Sequence, residues 1–320
     1  MGAEAVRRPA RRQRKSFPMR FSMRIALTAF ASALLAASTA AETLEVLPSG
    51  HPVARVSIDG SAARRFVIDT AASTTTILPA LRAQMPDLVG KAGGAPLNGA
   101  SGTVEIETVA VDRIEVDGCS FEDVELLLLP PGPVDKLGVD GILGADLIAD
   151  FAVEIDIPAR QWRLAAAADA AMLEGLSQGV PFVLDAQRAP RLTIRLNGIE
   201  VPAVLDTGAR GTIINWAAAR AIGLSPDSAG LTKASDVKGA SAHATPSMQA
   251  RLAELAIGES LITGPNVRIA DLPVFKVVGF AADQPAVILG IDMFADRRFV
   301  IDHPGLRLHV SEAKAAPPAT

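Results

Sequence analysis

The chain has 320 residues, 49% hydrophobic and 21% charged, enough to bury two cores of ordinary size and too apolar for a disordered chain. Aromatic residues make up only 4% and Tyr is absent, which argues against stacking surfaces for nucleic acid. The formal charge of −4 falls to −11 once residues 1–41, with eight basic residues and one acid, are set aside, and an acidic chain disfavours nucleic acid and anionic membrane as partners.

The first 41 residues stand apart. Arg7, Arg8, Arg11, Arg12, Arg14, Lys15, Arg20 and Arg24 precede the apolar run Ile25 to Ala37, and small residues follow at Ser38 to Ala41. Basic, apolar and small segments in that order predict a signal peptide over 1–41 and a periplasmic or secreted product. The apolar run is shorter than the ~20 residues of a transmembrane helix, so no membrane partner is expected after its removal. Met19 and Met23 are alternative starts to Met1, because the signal is complete without the leading basic stretch. Cys119 is the only cysteine, so no internal disulfide is possible, and with no Cys after the apolar run no lipoprotein anchor is expected; it reads as a small buried residue.

From residue 42 the chain reads mostly as short strands. "VARVSI" (53–58) runs into the turn dipeptide Asp59-Gly60 and then into "FVIDTAAST", Phe66 to Thr74. A short helix is predicted over Pro79 to Gln84, then "NGASG" at Asn98 to Gly102, the strands "TVEIETVAVDRIEV" and "VELLLL", and "ILGADLIADFAVEIDIP", Ile142 to Pro158, with a helix over Asp146 to Asp150. Ala165 to Glu174 favours helix and belongs to a connection over 165–179. The pattern then starts again. Asn197-Gly198 precedes "AVLDTGARG", Ala203 to Gly211; a helix is predicted over Ala217 to Ala221; "KGASA" stands at Lys238 to Ala242; and "ILGIDMFADRRFVIDHP" closes the series at Ile288 to Pro304. Residues 312–320 read as a disordered tail.

The closing segments align without a gap at an offset of 146, and the Asp-Thr segments at an offset of 137. Matched landmarks in the same order make the chain two copies of one unit, a first lobe over 42–164 and a second over 180–311. Each copy delivers a carboxylate, Asp69 or Asp206, from an apolar strand onto a turn of small residues. A single Asp at a strand end is commonly only a turn residue. Two matched ones point to a pair meant to meet. Two adjacent carboxyls cannot both ionise, so one keeps a proton and the other serves as base. That arrangement can activate a water and protonate an oxygen without metal or cofactor, and it requires small neighbours, here Ala71-Ala72 and Gly208-Ala209.

Hydrophobic-hydrophobic-Asp-Thr, a Gly-containing hairpin and hydrophobic-hydrophobic-Gly, twice over, resembles the retropepsin-like aspartic proteases. The resemblance implies an all-β fold of two tandem retropepsin-like β-barrel lobes with a pepsin-like cleft between them. It implies Asp69 and Asp206 as the catalytic dyad, and Thr70 and Thr207 as the threonines that bond across to the opposite loop. Ala71 and Gly208 are the small residues supporting the dyad, and Ile142 to Gly144 and Ile288 to Gly290 the strands beneath it. Gly99, Ala100 and Ser101, with Gly239, Ala240 and Ser241, fall on the flap tips. A peptide or protein substrate, no cofactor and an active monomer follow. The chain departs from the pattern at Ala71, where the family has Gly and where a methyl is expected to crowd the dyad. Arg210, opposite Ser73, makes the halves of the cleft unequal. A catalytically weak peptide-binding protein is the alternative.

Other chemistry finds less support. Gly175 to Gly179 matches a nucleophile elbow but lacks the strand before and helix after it. His51, His243, His303 and His309 show no metal-ligand spacing. Asp146, Asp150, Asp292 and Asp296 repeat between copies and read as capping or solvating residues of the short helices.

Overall fold

Each copy opens with a hairpin that the turn dipeptides predict. Pro52–Ile58 pairs antiparallel with Arg64–Ile68, and Pro190–Leu196 with Ile199–Asp206. Asp59 and Asn197 adopt φ of 49° and 47°, and Gly60 and Gly198 follow at 71° and 82°, the left-handed pair that lets two strands reverse tightly. The second hairpin strand is then flanked by the Ile-Leu-Gly strand running parallel to it. Gly141–Leu143 lies beside Phe66–Ile68, and Val287–Gly290 beside Ala203–Asp206. Parallel pairing of segments so distant in sequence places each Ile-Leu-Gly strand beneath the turn that follows its Asp strand.

The computed structural model describes residues 34–35, 41–88, 90–91, 96–99, 102–105, 107–238 and 244–313. The expected signal peptide, apart from Leu34, Leu35 and Ala41, lies outside these residues, as does the tail from Lys314. The fold is all-β and bilobal, one lobe per copy. The lobes are joined by a six-stranded sheet in the order Val180–Leu184, Arg307–Val310, Arg298–Asp302, Ala152–Asp156, Gln161–Ala165, Glu42–Thr43. At its centre the two repeated segments pair with each other, and Glu154 faces Val300, its own counterpart at an offset of 146. The pseudo-twofold axis therefore passes between these two residues. Trp162 and Phe299, on strands of this sheet, and Phe294, whose ring packs on Phe299, are fully buried, each removing about 150–250 Å² from water.

The short helices form close to where the pattern puts them, at Pro79–Gln84, Ala145–Ile148 and Trp216–Ala221. Asn215 caps the last, its Oδ1 accepting from the Ala218 N–H at 2.8 Å. The expected helix over Ala165 to Glu174 is shorter than predicted, a single turn at Ala170–Leu173. Ala165 is taken by the interlobe sheet, where it faces Ala152, and Asp169 starts the turn by accepting from Met172 N–H at 2.7 Å. Cys119 is buried.

Asp146 and Asp292 are not helix caps; Gly144 and Gly290 occupy the N-cap positions. Each carboxylate instead reaches back to the strand after its Asp-Thr turn. Asp146 accepts from Thr75 N–H and Oγ1–H at 2.9 and 2.8 Å, and Asp292 from Thr212 N–H and Oγ1–H at 3.0 and 2.8 Å. Thr75 and Thr212 in turn accept from the N–H groups of Gly144 and Gly290, both at 3.0 Å. One such Asp/Thr pair in each lobe clamps the Asp-Thr turn to its Ile-Leu-Gly strand. Asp150 and Asp296 are exposed and pair with Arg188 and Arg297.

Candidate active site

The two Asp-Thr turns meet between the lobes and are locked by a reciprocal set of four hydrogen bonds. Thr70 Oγ1 donates to the Leu205 carbonyl at 2.8 Å and accepts from Thr207 N–H at 3.2 Å; Thr207 Oγ1 donates to the Ile68 carbonyl at 2.7 Å and accepts from Thr70 N–H at 3.1 Å. Both threonines are buried. Burying two hydroxyls is favourable only if they are bonded, and here each hydroxyl uses its donor and an acceptor position. The lattice fixes the residues just before them, Asp69 and Asp206, side by side.

Close approach needs one missing side chain. A Cβ on Gly208 would stand 2.2 Å from Asp69 Oδ2 and 2.3 Å from its Cγ, so the second turn touches the first through a bare backbone. The matching position of the first turn carries a methyl. Ala71 packs on a second-lobe cluster that includes Ala189, Val204, Ile213, Phe275 and Ile288.

The carboxyls are not equivalent. Asp69 Oδ1 accepts from the N–H groups of Ala71 and Ala72, at 2.9 and 3.0 Å. Asp206 Oδ1 is buried without a hydrogen-bond partner. The N–H groups of Ala209 and Gly208 approach the Asp206 carboxylate closely enough to lower its proton affinity. Neither makes a well-formed bond to it, and Ala209 N–H goes instead to the Asp206 main-chain carbonyl at 3.2 Å. Burial raises the pKa of both acids. In Asp69 the two N–H groups and a hydrogen bond from Asp206 oppose that rise. Asp206 is pushed well above the ordinary carboxylate range, first by burial and then by the charge of Asp69. Burial and mutual repulsion both disfavour a doubly ionised pair, and the push is stronger at Asp206 than at Asp69.

The hairpins expected to carry flap tips are present as stems. Pro96–Gly99 pairs with Gly102–Glu105, Gly99 facing Gly102, and Thr232–Lys238 pairs with Ala244–Arg251. The tip residues Ala100, Ser101, Gly239, Ala240 and Ser241 lie outside the described residues. The strand Pro96–Gly99 approaches the helix Val274–Val277 of the second lobe, so the first hairpin reaches across from its own lobe. Arg210, after the second turn, is exposed, whereas Ser73 is half-buried.

Reading the residues in order misses two parts of the site. The Thr75 and Thr212 clamps carry a signal in hindsight, since they stand at the same offset of 137 as the aspartates. His51, whose ring meets the Gly208 carbonyl at 3.0 Å, carries none, because its counterpart in the second copy is Ala189. A family model described as an aspartyl protease matches residues 54–147 and again residues 192–293. No curated protein matches the chain.

Proposed function

The chain belongs to the aspartyl protease family, with one copy of the retropepsin-like unit in each lobe, and on that premise we propose that it is an exported, single-chain endopeptidase whose dyad is Asp69 and Asp206. The observation that carries the reading is the asymmetry of two adjacent carboxyls, one bonded by two N–H groups and the other by none on its buried oxygen. Asp69 is then the base and Asp206 the acid. Water attacks the scissile carbonyl carbon, losing a proton to Asp69 while Asp206 gives its proton to the carbonyl oxygen. Asp69 passes its proton to the amide nitrogen, the C–N bond breaks, and Asp206 recovers a proton from the tetrahedral diol. Excluding bulk water from the cleft would favour these transfers. A peptide binder of weak turnover is the alternative that an alanine at position 71 raises, although its methyl packs on the second-lobe cluster.

Incubation of the protein with a proteome-derived peptide mixture separates the two. Internal cleavage, sensitive to pepstatin-type inhibitors, is expected; tight peptide retention without new termini would point to the binder. Export and assembly make a second prediction. Protein recovered from its host should begin at Ala41 or Glu42 and keep its specific activity on dilution, because both halves of the dyad lie in one chain. An intact leader in the membrane fraction would mean an anchor. Activity that falls with dimer dissociation would mean the dyad forms between chains.

A further inference from the structure

His51 sits in the turn that opens the first lobe's hairpin, yet its ring contacts the second lobe. The turn is closed by Gly50 N–H to the Leu47 carbonyl at 2.8 Å and by Leu47 N–H to the His51 carbonyl at 3.0 Å. The ring is only 6% exposed. Nε2 lies 3.0 Å from the carbonyl oxygen of Gly208, and Nδ1 lies 2.7 Å from Ser49 Oγ. A carbonyl only accepts, so Nε2 carries a proton and donates. Burial lowers the ring's pKa, and in the neutral ring Nδ1 then accepts from the Ser49 hydroxyl. Both ring nitrogens are used and the imidazole is fixed.

The pseudo-twofold supplies an internal comparison. The strands Pro52–Ile58 and Pro190–Leu196 begin alike, which sets His51 against Ala189. Ala189 is buried in the cluster on which Ala71 packs and presents only a methyl. Where the facing residue is Ala189, the turn gives two N–H groups to its own carboxylate, Asp69. Where the facing residue is His51, the turn is held by its Gly208 carbonyl, Ala209 N–H goes to the main chain, and Asp206 Oδ1 has no partner. A C=O and the next N–H belong to one rigid peptide plane, so anchoring the Gly208 oxygen also fixes where the Ala209 N–H points.

We propose that His51 is a positioning residue for Asp206: by holding the Gly208 carbonyl it keeps the turn's N–H groups, which approach the Asp206 carboxylate, from closing into full hydrogen bonds with its Oδ1, and so favours Asp206 as the proton-bearing member of the pair. The proposal rests on the dyad reading above. The charged and titratable groups around it are Asp69 across the dyad, Arg210 on the same turn beside His51, and Asp292 bonded to Thr212 behind the turn. Releasing the carbonyl lets the second turn relax to the form of the first. An N–H donor to a carboxylate favours its charged form, so the upper titration step of the pair falls.

The test is a carboxyl NMR titration of protein labelled at aspartate, the dyad resonances being identified by their loss in Asp69→Asn and Asp206→Asn. His51→Ala, which copies the second lobe, should lower the upper step by about one unit, the scale of one charge-assisted hydrogen bond. His51→Gln, which keeps an N–H near the Nε2 position, should stay near wild type. The alkaline limb of peptide hydrolysis should move with the titration. An upper step in His51→Ala that stays put or rises overturns the proposal, as does a fall produced by Ala71→Gly while His51→Ala is silent. If His51→Ala does not fold, Ser49→Ala loosens the ring without removing it and should give a smaller fall; no change there also overturns it. Because the titration needs no substrate, a wild type without hydrolysis would count against the protease reading alone.

Discussion

Asp69→Asn and Asp206→Asn should each remove nearly all peptide hydrolysis and leave the fold intact. The chemistry needs one base and one acid, and no other carboxyl among the described residues faces the pair. An amide at 69 cannot take a proton from water, and an amide at 206 has no acidic proton to give. The effect on stability has a sign. Asp206 has a folded pKa above its unfolded value, so its stabilising contribution is complete below the unfolded value near 3.8 and is lost as pH rises through the folded value. Asp206→Asn abolishes that loss, and its thermal midpoint should exceed wild type near neutral pH but match it near pH 3 (roughly, from the unfolded value). The working form carries one proton. With both acids raised by burial, the rate profile should be a bell peaking in mild acid, roughly pH 4–6. Hydrolysis and thermal melts of both variants across pH decide the matter. Retention of more than a few per cent of activity in either, or a midpoint for Asp206→Asn below wild type at neutral pH, would sink the two-carboxylate mechanism.

The duplicated unit and the two Asp-Thr turns that meet between the lobes were legible because both are carried by short contiguous strings. Each hairpin needs only its turn dipeptide and flanking apolar residues, and each Asp-Thr pair repeats in register. Contacts that join distant strings were less visible. That Ala152–Asp156 pairs with Arg298–Asp302 follows from the twofold relation of the copies, which a list of matched segments does not contain. Asp146 and Asp292 were visible as repeats but read as caps, since an Asp in a first helical turn has the same local signature whether it caps that turn or bonds a threonine from another strand. Helix propensity over Ala165 to Glu174 lost to sheet pairing at Ala165, a tertiary override of a weak local preference. His51 is invisible for a different reason: its contact with Gly208 spans 157 residues and breaks the symmetry that revealed everything else.

That broken symmetry also governs the two small residues, and the second large effect is expected there. Gly208→Ala should reduce turnover by about a hundredfold or more, whereas Ala71→Gly should leave it at or above wild type. The methyl added at Gly208 would enter the space of Asp69 Oδ2 and Cγ, at 2.2 and 2.3 Å. Asp69 cannot yield freely, because Ala71 and Ala72 hold its Oδ1. The turn cannot yield freely either, because the Thr70 and Thr207 bonds tie it to the opposite strand. Strain of this kind typically costs about 1–3 kcal/mol of stability, or a few degrees in thermal midpoint. Displacing a reacting group by about 1 Å costs about a hundredfold in rate. At Ala71 the balance differs. Removing its methyl gives up about 0.8 kcal/mol of burial on the second-lobe cluster and adds backbone freedom worth about 0.5–1 kcal/mol, with no contact to the dyad lost. The double exchange, Ala71→Gly with Gly208→Ala, should not restore activity, since the methyl at 208 still meets Asp69. Rates and midpoints for the three variants test this. Near-wild-type turnover in Gly208→Ala would mean that the turns do not approach as closely as described. A tenfold loss in Ala71→Gly would mean that its methyl shapes the dyad and does more than fill the neighbouring cluster.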